Sequence, residues 1–222
     1  MAYLSQGRMR AGSLSSGLLS KVFGLLAFSL VFATLGGVVG ARYAQGWLLP
    51  LLIVQVALIF AVHALRNREG WNLGLLYGFT FVSGMTVGTI IARYVGAGLG
   101  GVVVQAAGVT GLMTVGLSAY ALTTKRNLSG LGPALFIALL GLIVASIVGL
   151  FVGGGLLRTF IVWGGAVLFS LLLVYDVNRA RYAEDTLGNA VIIALGVYLD
   201  IVNLFLYILQ ILTSLQGGSS RE

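Results

Sequence analysis

The chain contains no cysteine and only six acidic residues, and charged residues fill 9% of its 222 positions. The absence of cysteine excludes a disulfide framework, a thiolate metal site and a cysteine nucleophile. So little charge excludes a soluble domain, because soluble proteins carry roughly a quarter charged residues. Hydrophobic residues make up 59% of the chain and the mean hydropathy is +1.03, so we predict an integral membrane protein.

The hydrophobic segments are apolar throughout and do not alternate with polar residues, as the strands of a membrane β-barrel would. We therefore predict an all-α polytopic membrane protein. About 20 apolar residues cross the hydrocarbon of a bilayer. That criterion predicts seven transmembrane helices, at residues 17–41, 47–66, 71–94, 99–123, 131–153, 157–178 and 188–214. They form one transmembrane domain, 17–214, between a polar tail at 1–16 and a short polar tail at 215–222.

The 13 basic residues are divided unequally between the two predicted sides of the membrane. We interpret the basic N-terminal tail as cytoplasmic and not as a signal peptide. Nine basic residues then lie inside: Arg8, Arg10, Lys21, Arg66, Arg68, Lys125, Arg126, Arg179 and Arg181. Four lie outside: Arg42, Arg93, Arg158 and Arg221. This bias favours a cytoplasmic N-terminus and an external C-terminus. Because helix-end anchoring explains the net charge of +7, we expect no nucleic-acid partner.

Two aspartates, Asp176 and Asp200, interrupt the predicted sixth and seventh helices, in the stretches VYDVN and VYLDIVNLF. An ionised carboxylate in hydrocarbon costs about 2.5–3.5 kcal/mol on insertion scales, so an intramembrane acid indicates a functional site. Both lie equally far from Gly188, between the two segments, so an antiparallel hairpin would bring them to one depth. Two such carboxylates share a proton more readily than they both ionise. The pair suits a pH sensor, a proton relay, a cation site or a protease dyad. The structural alternative is that each aspartate only hydrogen-bonds a backbone group or an arginine.

Three other polar side chains are candidates to assist the pair. Asn203 is three residues beyond Asp200 and shares its helix face, where it can orient that carboxylate, offer a cation an oxygen or simply bond a neighbouring helix. Gln55 and Arg66 are eleven residues apart, close to three turns, so we predict that they share a face of the second helix. Arg66 is then either a counter-charge for the pair or an interfacial arginine.

Two polar residues and the glycines are given mainly structural interpretations. His63, the single histidine, is expected at the membrane interface, and without a second histidine we expect no transition-metal site. Asn178 is expected to point away from Asp176, toward the loop. Glycine spacings of four residues predict close helix packing, with a flexible gate as the alternative. These spacings occur at Gly70, Gly74 and Gly78, at Gly84 and Gly88, and at Gly149 and Gly153.

Longer stretches around the aspartates resemble the Bax inhibitor motif (Bax inhibitor-1-like) family of membrane proteins. They are YDVN at the end of the predicted sixth helix, ALGVYLDIVNLFLYILQIL in the seventh, and YGFTFVSGMTVGTIIARY in the third. The YLD-x-x-N-LF part is the most specific. The resemblance covers nearly the whole transmembrane part.

The resemblance implies a pH-sensitive calcium leak channel in a prokaryotic cell membrane, built as two three-helix layers around a central C-terminal helix. In prokaryotic members an aspartate pair on the last two helices senses protons, and an arginine on the second helix latches it. Asp176 and Asp200 match the pair and Arg66 matches the latch. Where the family often has a glutamate on the second helix, this chain has Gln55, which keeps an oxygen ligand but loses a charge.

Calcium fits this assignment as a transported ion, and we expect no cofactor. It takes six to eight oxygen ligands as a rule, so Asp176, Asp200, an amide and some waters would hold it weakly. Weak binding suits conduction, because the ion must also leave.

Two alternatives belong to other functional classes. An intramembrane aspartyl protease would also place aspartates on consecutive helices, but Asp200 lacks the glycine-x-glycine-aspartate setting, and Pro133-Ala134-Leu135 opens the fifth helix instead of following the second aspartate. We therefore expect no enzyme. A non-conducting regulator that binds other membrane proteins leaves no readable motif and stays open.

Overall fold

The computed structural model describes residues 2–68 and 70–219, and the side chains of 17–68 and 70–216. Met1, Glu69 and residues 220–222, which include the ends of both predicted tails, lie outside it. The described residues form seven α-helices and one short 3₁₀ turn, which confirms the all-α fold. The α-helices are α1 (Ala2–Tyr43), α2 (Leu48–Ala64), α3 (Trp71–Gly96), α4 (Gly100–Thr123), α5 (Gly132–Val152), α6 (Gly155–Arg179) and α7 (Leu187–Ser219). The 3₁₀ turn, Ser129–Leu131, precedes α5.

Six of these helices are long and apolar enough to cross a membrane. The span within α1 is Gly17–Tyr43, although the helix itself begins at Ala2 and includes most of the predicted tail. At the other end, α7 continues to Ser219, beyond the predicted boundary at residue 214. Pro133 lies in the first turn of α5, where its missing N–H is not needed, so the PAL sequence does open that helix.

The second helix is shorter than the predicted span 47–66. It has 17 residues and ends at Ala64, because Leu65–Arg68 form a polar turn toward Gly70, whose φ is +83°. At 1.5 Å per residue, α2 is about 26 Å long, slightly less than the ~30 Å hydrocarbon core. The prediction that Arg66 belongs to this helix is therefore wrong.

The helices divide into two compact units, each with three helices and a part of α7. The first unit contains α1, α2, α3 and Ala180–Tyr198. The second contains α4, α5, α6 and the part of α7 from Leu199 onward. Three helices in each unit agree with the two three-helix groups that the resemblance implies.

In the first unit, α1 and α3 pack backbone against backbone. A Cβ atom at Gly84 would overlap the main chain of Ala33, and one at Gly88 would overlap that of Gly37. On α1, a Cβ atom at Gly36 or Gly40 would likewise overlap the main chain of α3. Thr89 uses the short distance to donate its hydroxyl to the carbonyl oxygen of Gly40 at 3.0 Å. The predicted packing role of Gly84 and Gly88 is confirmed, because in lipid such close contact is what holds helices together.

The other two glycine repeats do not behave in this way. No described atom lies within 4 Å of a Cβ built at Gly70, Gly74 or Gly78, so the packing prediction is wrong for that repeat. A Cβ built at Gly149 would lie 3.2 Å from the side chain of Ile161, so this glycine does pack closely, but against a side chain and not a backbone; Gly153 belongs to the turn between α5 and α6 with φ of +59°. Four-residue spacing alone does not show which side of a helix meets a partner.

Polar contacts link the remaining elements of the first unit. Tyr198 of α7 is fully buried, lies edge-on to Phe79 at 6.0 Å and donates its hydroxyl to the carbonyl oxygen of Thr80 at 3.4 Å. Lys21 of α1 forms a 2.9 Å ion pair with Asp185 in the loop before α7. These contacts tie the start of α7 to α1 and α3.

One asparagine and one aromatic pair hold elements of the second unit together. Asn178 of α6 is fully buried: its Oδ1 accepts the N–H of Leu128, and its Nδ2 donates to the carbonyl oxygens of Ala121 and Arg126. It therefore binds the connection between α4 and α5 to the end of α6. Phe169 of α6 stacks on Tyr207 of α7 with ring centres 5.8 Å apart.

We predict that Gly88→Ala destabilises the protein by roughly 1–3 kcal/mol, because the added methyl group must push α1 and α3 apart. The matched control is Gly78→Ala, on the same helix, where a Cβ meets nothing within 4 Å among the described residues. That variant should be as stable as the wild type or slightly more so, since alanine is the better helix former. Unfolding midpoints in detergent compare the two, and equal midpoints would contradict the α1–α3 packing described above.

Candidate functional site

Asp176 and Asp200 both lie in the second unit, on α6 and α7. Asp200 is buried, with 4% of its surface exposed, and Asp176 is half-buried. The charge of Asp176 acts on Asp200, so the two carboxyl groups lie within electrostatic reach of each other. The two acids that interrupt the apolar helices thus lie in the same unit, and their predicted hydrogen-bonding distance stays a prediction.

One oxygen of Asp200 has no hydrogen-bond partner. Its Oδ2 is buried, and no donor among the described residues reaches it. A buried carboxylate oxygen without a donor is costly, because water no longer solvates its charge. A proton held between Asp200 and Asp176 would remove that cost, since a protonated carboxyl group can donate to the other carboxylate.

The pair does not form a closed metal site. Within the described residues, no third aspartate, glutamate, histidine or cysteine joins the two acids in a cluster that could hold a metal ion. Two carboxylates supply too few oxygens for tight calcium binding. The arrangement suits a proton, or a cation that stays briefly.

A positive charge that the sequence did not suggest for this site acts on Asp176. Arg179 lies three residues after Asp176 on α6, and its charge attracts that carboxylate. The spacing of three along one helix is a signal that the sequence already contained. Asn178, between them, holds this end of α6 against the α4–α5 connection, so the turn that carries Asp176 and Arg179 is anchored. Asn178 therefore points toward the α4–α5 connection, whereas the sequence suggested the loop that follows α6.

The spacing of Asn203 and Asp200 suggested that the amide orients the carboxylate, but the amide nitrogen has a different hydrogen-bond partner. Asn203 Nδ2 donates to the carbonyl oxygen of Leu199, one turn earlier on α7, at 2.8 Å. Its side chain lines a cavity between α5, α6 and α7 whose described lining includes neither aspartate.

Gln55 and Arg66 lie in the first unit, and the predicted face that they share on α2 does not exist. Arg66 is exposed in the turn beyond Ala64, and its carbonyl oxygen accepts a hydrogen bond from Asn72 at 3.0 Å. Gln55 is half-buried and donates to the hydroxyl of Thr86 on α3 at 2.6 Å. The spacing argument failed because it extended the helix two residues too far.

His63 is exposed near the end of α2, and its Nδ1–H donates to the carbonyl oxygen of Ile59 at 2.9 Å. Its place at the membrane interface stays a prediction. No cluster of potential metal ligands includes it among the described residues.

Comparison with known proteins supports the resemblance over nearly the whole chain. The family described as "Inhibitor of apoptosis-promoting Bax1" (Bax1-I) matches residues 15–217. An uncharacterized protein of Helicobacter pylori (strain ATCC 700392 / 26695) is 34% identical, over 95% of this chain and 92% of the relative. The Golgi anti-apoptotic protein of Vaccinia virus (strain Lister) is 32% identical, over 87% of this chain and 84% of that protein. Inner membrane protein YbhL of Escherichia coli (strain K12) is 31% identical over 74% of each chain. A match of this extent shows that the chain belongs to the Bax1-I family, the Bax inhibitor family of membrane proteins.

Proposed function

We propose that this protein is a pH-sensitive calcium leak channel of a cell membrane, in which Asp176 and Asp200 sense protons and contact the passing ion. The observation that carries the proposal is the unpartnered, buried oxygen of Asp200 within reach of a second carboxylate on a neighbouring helix. A buried carboxylate oxygen with no hydrogen-bond donor costs stability in a membrane, and the same oxygen is a good proton acceptor. We propose no enzymatic activity and no cofactor.

The proposed mechanism follows from charge. When both aspartates are ionised they repel each other and together attract a nearby positive group. The resemblance assigns that part to Arg66, as a latch that holds the pathway closed. One proton on the pair weakens the attraction, so mild acidification favours the open state. At lower pH, protons compete with calcium for the same oxygens, and flux falls again.

The cell membrane is proposed because a relative is an inner membrane protein. With a cytoplasmic N-terminus and seven crossings, the C-terminus lies outside. A reporter fused after residue 222 that is active only in the cytoplasm would contradict this topology and would indicate six crossings.

A second candidate function is a non-conducting regulator of other membrane proteins. One specific observation favours it: a relative with 32% identity is called an anti-apoptotic protein. Liposomes that contain only the purified protein distinguish the two functions. A calcium influx above that of empty liposomes supports the channel, and its absence at every pH supports the regulator.

The first prediction from the channel concerns the acids. Asp176→Asn and Asp200→Asn should each flatten the pH dependence of calcium flux into liposomes, because an amide cannot share the proton of the remaining carboxylate. Asp185→Asn is the matched control. Asp185 lies outside the spans, in the loop before α7, and its partner Lys21 is exposed, so its replacement should cost at most about 1 kcal/mol and leave the pH profile unchanged. If Asp176→Asn and Asp200→Asn both keep the wild-type dependence of calcium flux on pH, the proposal is wrong.

The second prediction concerns the latch. Arg66→Ala should raise the leak at neutral pH and flatten its pH dependence, because the ionised pair loses the charge that holds the closed state. Arg68→Ala is the control: Arg68 is exposed in the same turn, two residues away. If the two variants give the same flux at each pH, Arg66 has no special role, and Arg179 becomes the remaining counter-charge to replace.

A further inference from the structure

A cavity of about 690 Å³ lies within the second unit. It is bounded by the end of α5, the first turns of α6 and the C-terminal half of α7. Its volume falls in the range of about 300–1,000 Å³ that is usual for small-molecule sites. Five of its lining residues are polar: Ser146, Arg158, Asn203, Tyr207 and Gln210.

The charge of this cavity is positive. Arg158 is the one charged residue in its described lining, and it forms no ion pair with a described carboxylate. Because no acidic side chain lines the cavity in the described part of the chain, it repels calcium and attracts an anion. The guanidinium group matches phosphate oxygens with two parallel hydrogen bonds.

The rim of the cavity faces lipid hydrocarbon. Leu150, Phe151, Val152 and Leu156 stand at the α5–α6 turn with 68–85% of their surfaces exposed. The turn between them, Gly153–Gly154, joins the ends of two membrane spans, so the rim lies where lipid head groups meet their acyl chains. An occupant with an anionic group and an apolar body fits this position, and a free soluble anion does not.

The wall opposite Arg158 offers hydrogen-bond acceptors. Asn203 and Gln210 donate through their side-chain nitrogens to carbonyl oxygens of their own helix, at 2.8 and 3.1 Å. Their amide oxygens are therefore the groups suited to accept hydrogen bonds from hydroxyl or amino groups of a head group. Tyr207 is held in place by stacking on Phe169 and by its close fit over Gly165, so this wall is formed before a ligand arrives.

We propose that the cavity binds the head group of one membrane phospholipid, with its phosphate on Arg158 and its hydroxyl or amino groups on the α7 wall. The acyl chains lie along the exposed apolar ends of α5 and α6. This site is independent of the aspartate pair and of any conduction.

The test is native mass spectrometry of the purified full chain, titrated with dioleoyl phosphatidylglycerol. We expect one preferred lipid adduct. Arg158→Gln should weaken it about tenfold, as expected when a charge-assisted hydrogen bond to phosphate is lost. Leu206→Trp keeps Arg158 and places an indole ring in the cavity, so it should also weaken the adduct. Arg93→Gln is the matched control: Arg93 is an exposed arginine at the end of another span, and its replacement should leave the adduct intact.

Three results would overturn the proposal. Equal adducts for Arg158→Gln and Arg93→Gln would show that the arginine at the cavity is not used. Equal binding of dioleoylglycerol, which lacks phosphate, would show that the head-group charge is not recognised. Displacement of the lipid by inorganic phosphate at similar concentration would make this a site for a soluble anion.

Discussion

A carboxylate buried in a membrane-spanning helix must be neutralised, paired or hydrated, because lipid provides neither water nor counter-charge. Asp200 is buried on α7 with one oxygen that no described donor reaches. The charge that acts on Asp200 is that of another acid, Asp176. Asp176 repels Asp200 when both are ionised, and a protonated carboxyl group can donate a hydrogen bond instead. A proton on the pair would relieve the cost of the buried, unpartnered oxygen, and this is the physical basis of the proposed pH sensing.

The rest of the second unit keeps these acids in place. Asn178 makes two hydrogen bonds to the α4–α5 connection and one to the last turns of α4, so the end of α6 that carries Asp176 is fixed by backbone contacts. Stacking of Phe169 on Tyr207 joins α6 to α7 further along. The first unit depends on a different interaction, the direct backbone contact of α1 with α3 at paired glycines. Both units contain hydrogen bonds and aromatic pairs, and the first unit adds close backbone packing at its glycines.

Hydropathy was sufficient to locate seven helices and to identify the two aspartates, because the cost of a charge in hydrocarbon makes both signals strong. Hydropathy did not locate the end of α2. The helix ends at Ala64, and Arg66 lies in the polar turn that follows, which a hydropathy window does not distinguish from a polar last turn of the helix. Gly84 and Gly88 were recognised from their spacing, but Gly70, Gly74 and Gly78 have the same spacing and pack against nothing described. The hydrogen bonds of Asn178 and the cavity beside Arg158 arise between distant segments, so no local pattern predicts them.

The central claim is that Asp176 and Asp200 act as one titrating unit, and the double variant Asp176→Asn/Asp200→Asn tests it most directly. Calcium flux into liposomes would be measured as a function of pH for the wild type, both single variants and the double variant. If one shared proton controls the flux, the first substitution removes the control and the second changes little more, so the effects are strongly non-additive. If the two effects add as those of independent sites do, the aspartates titrate separately and the account is wrong.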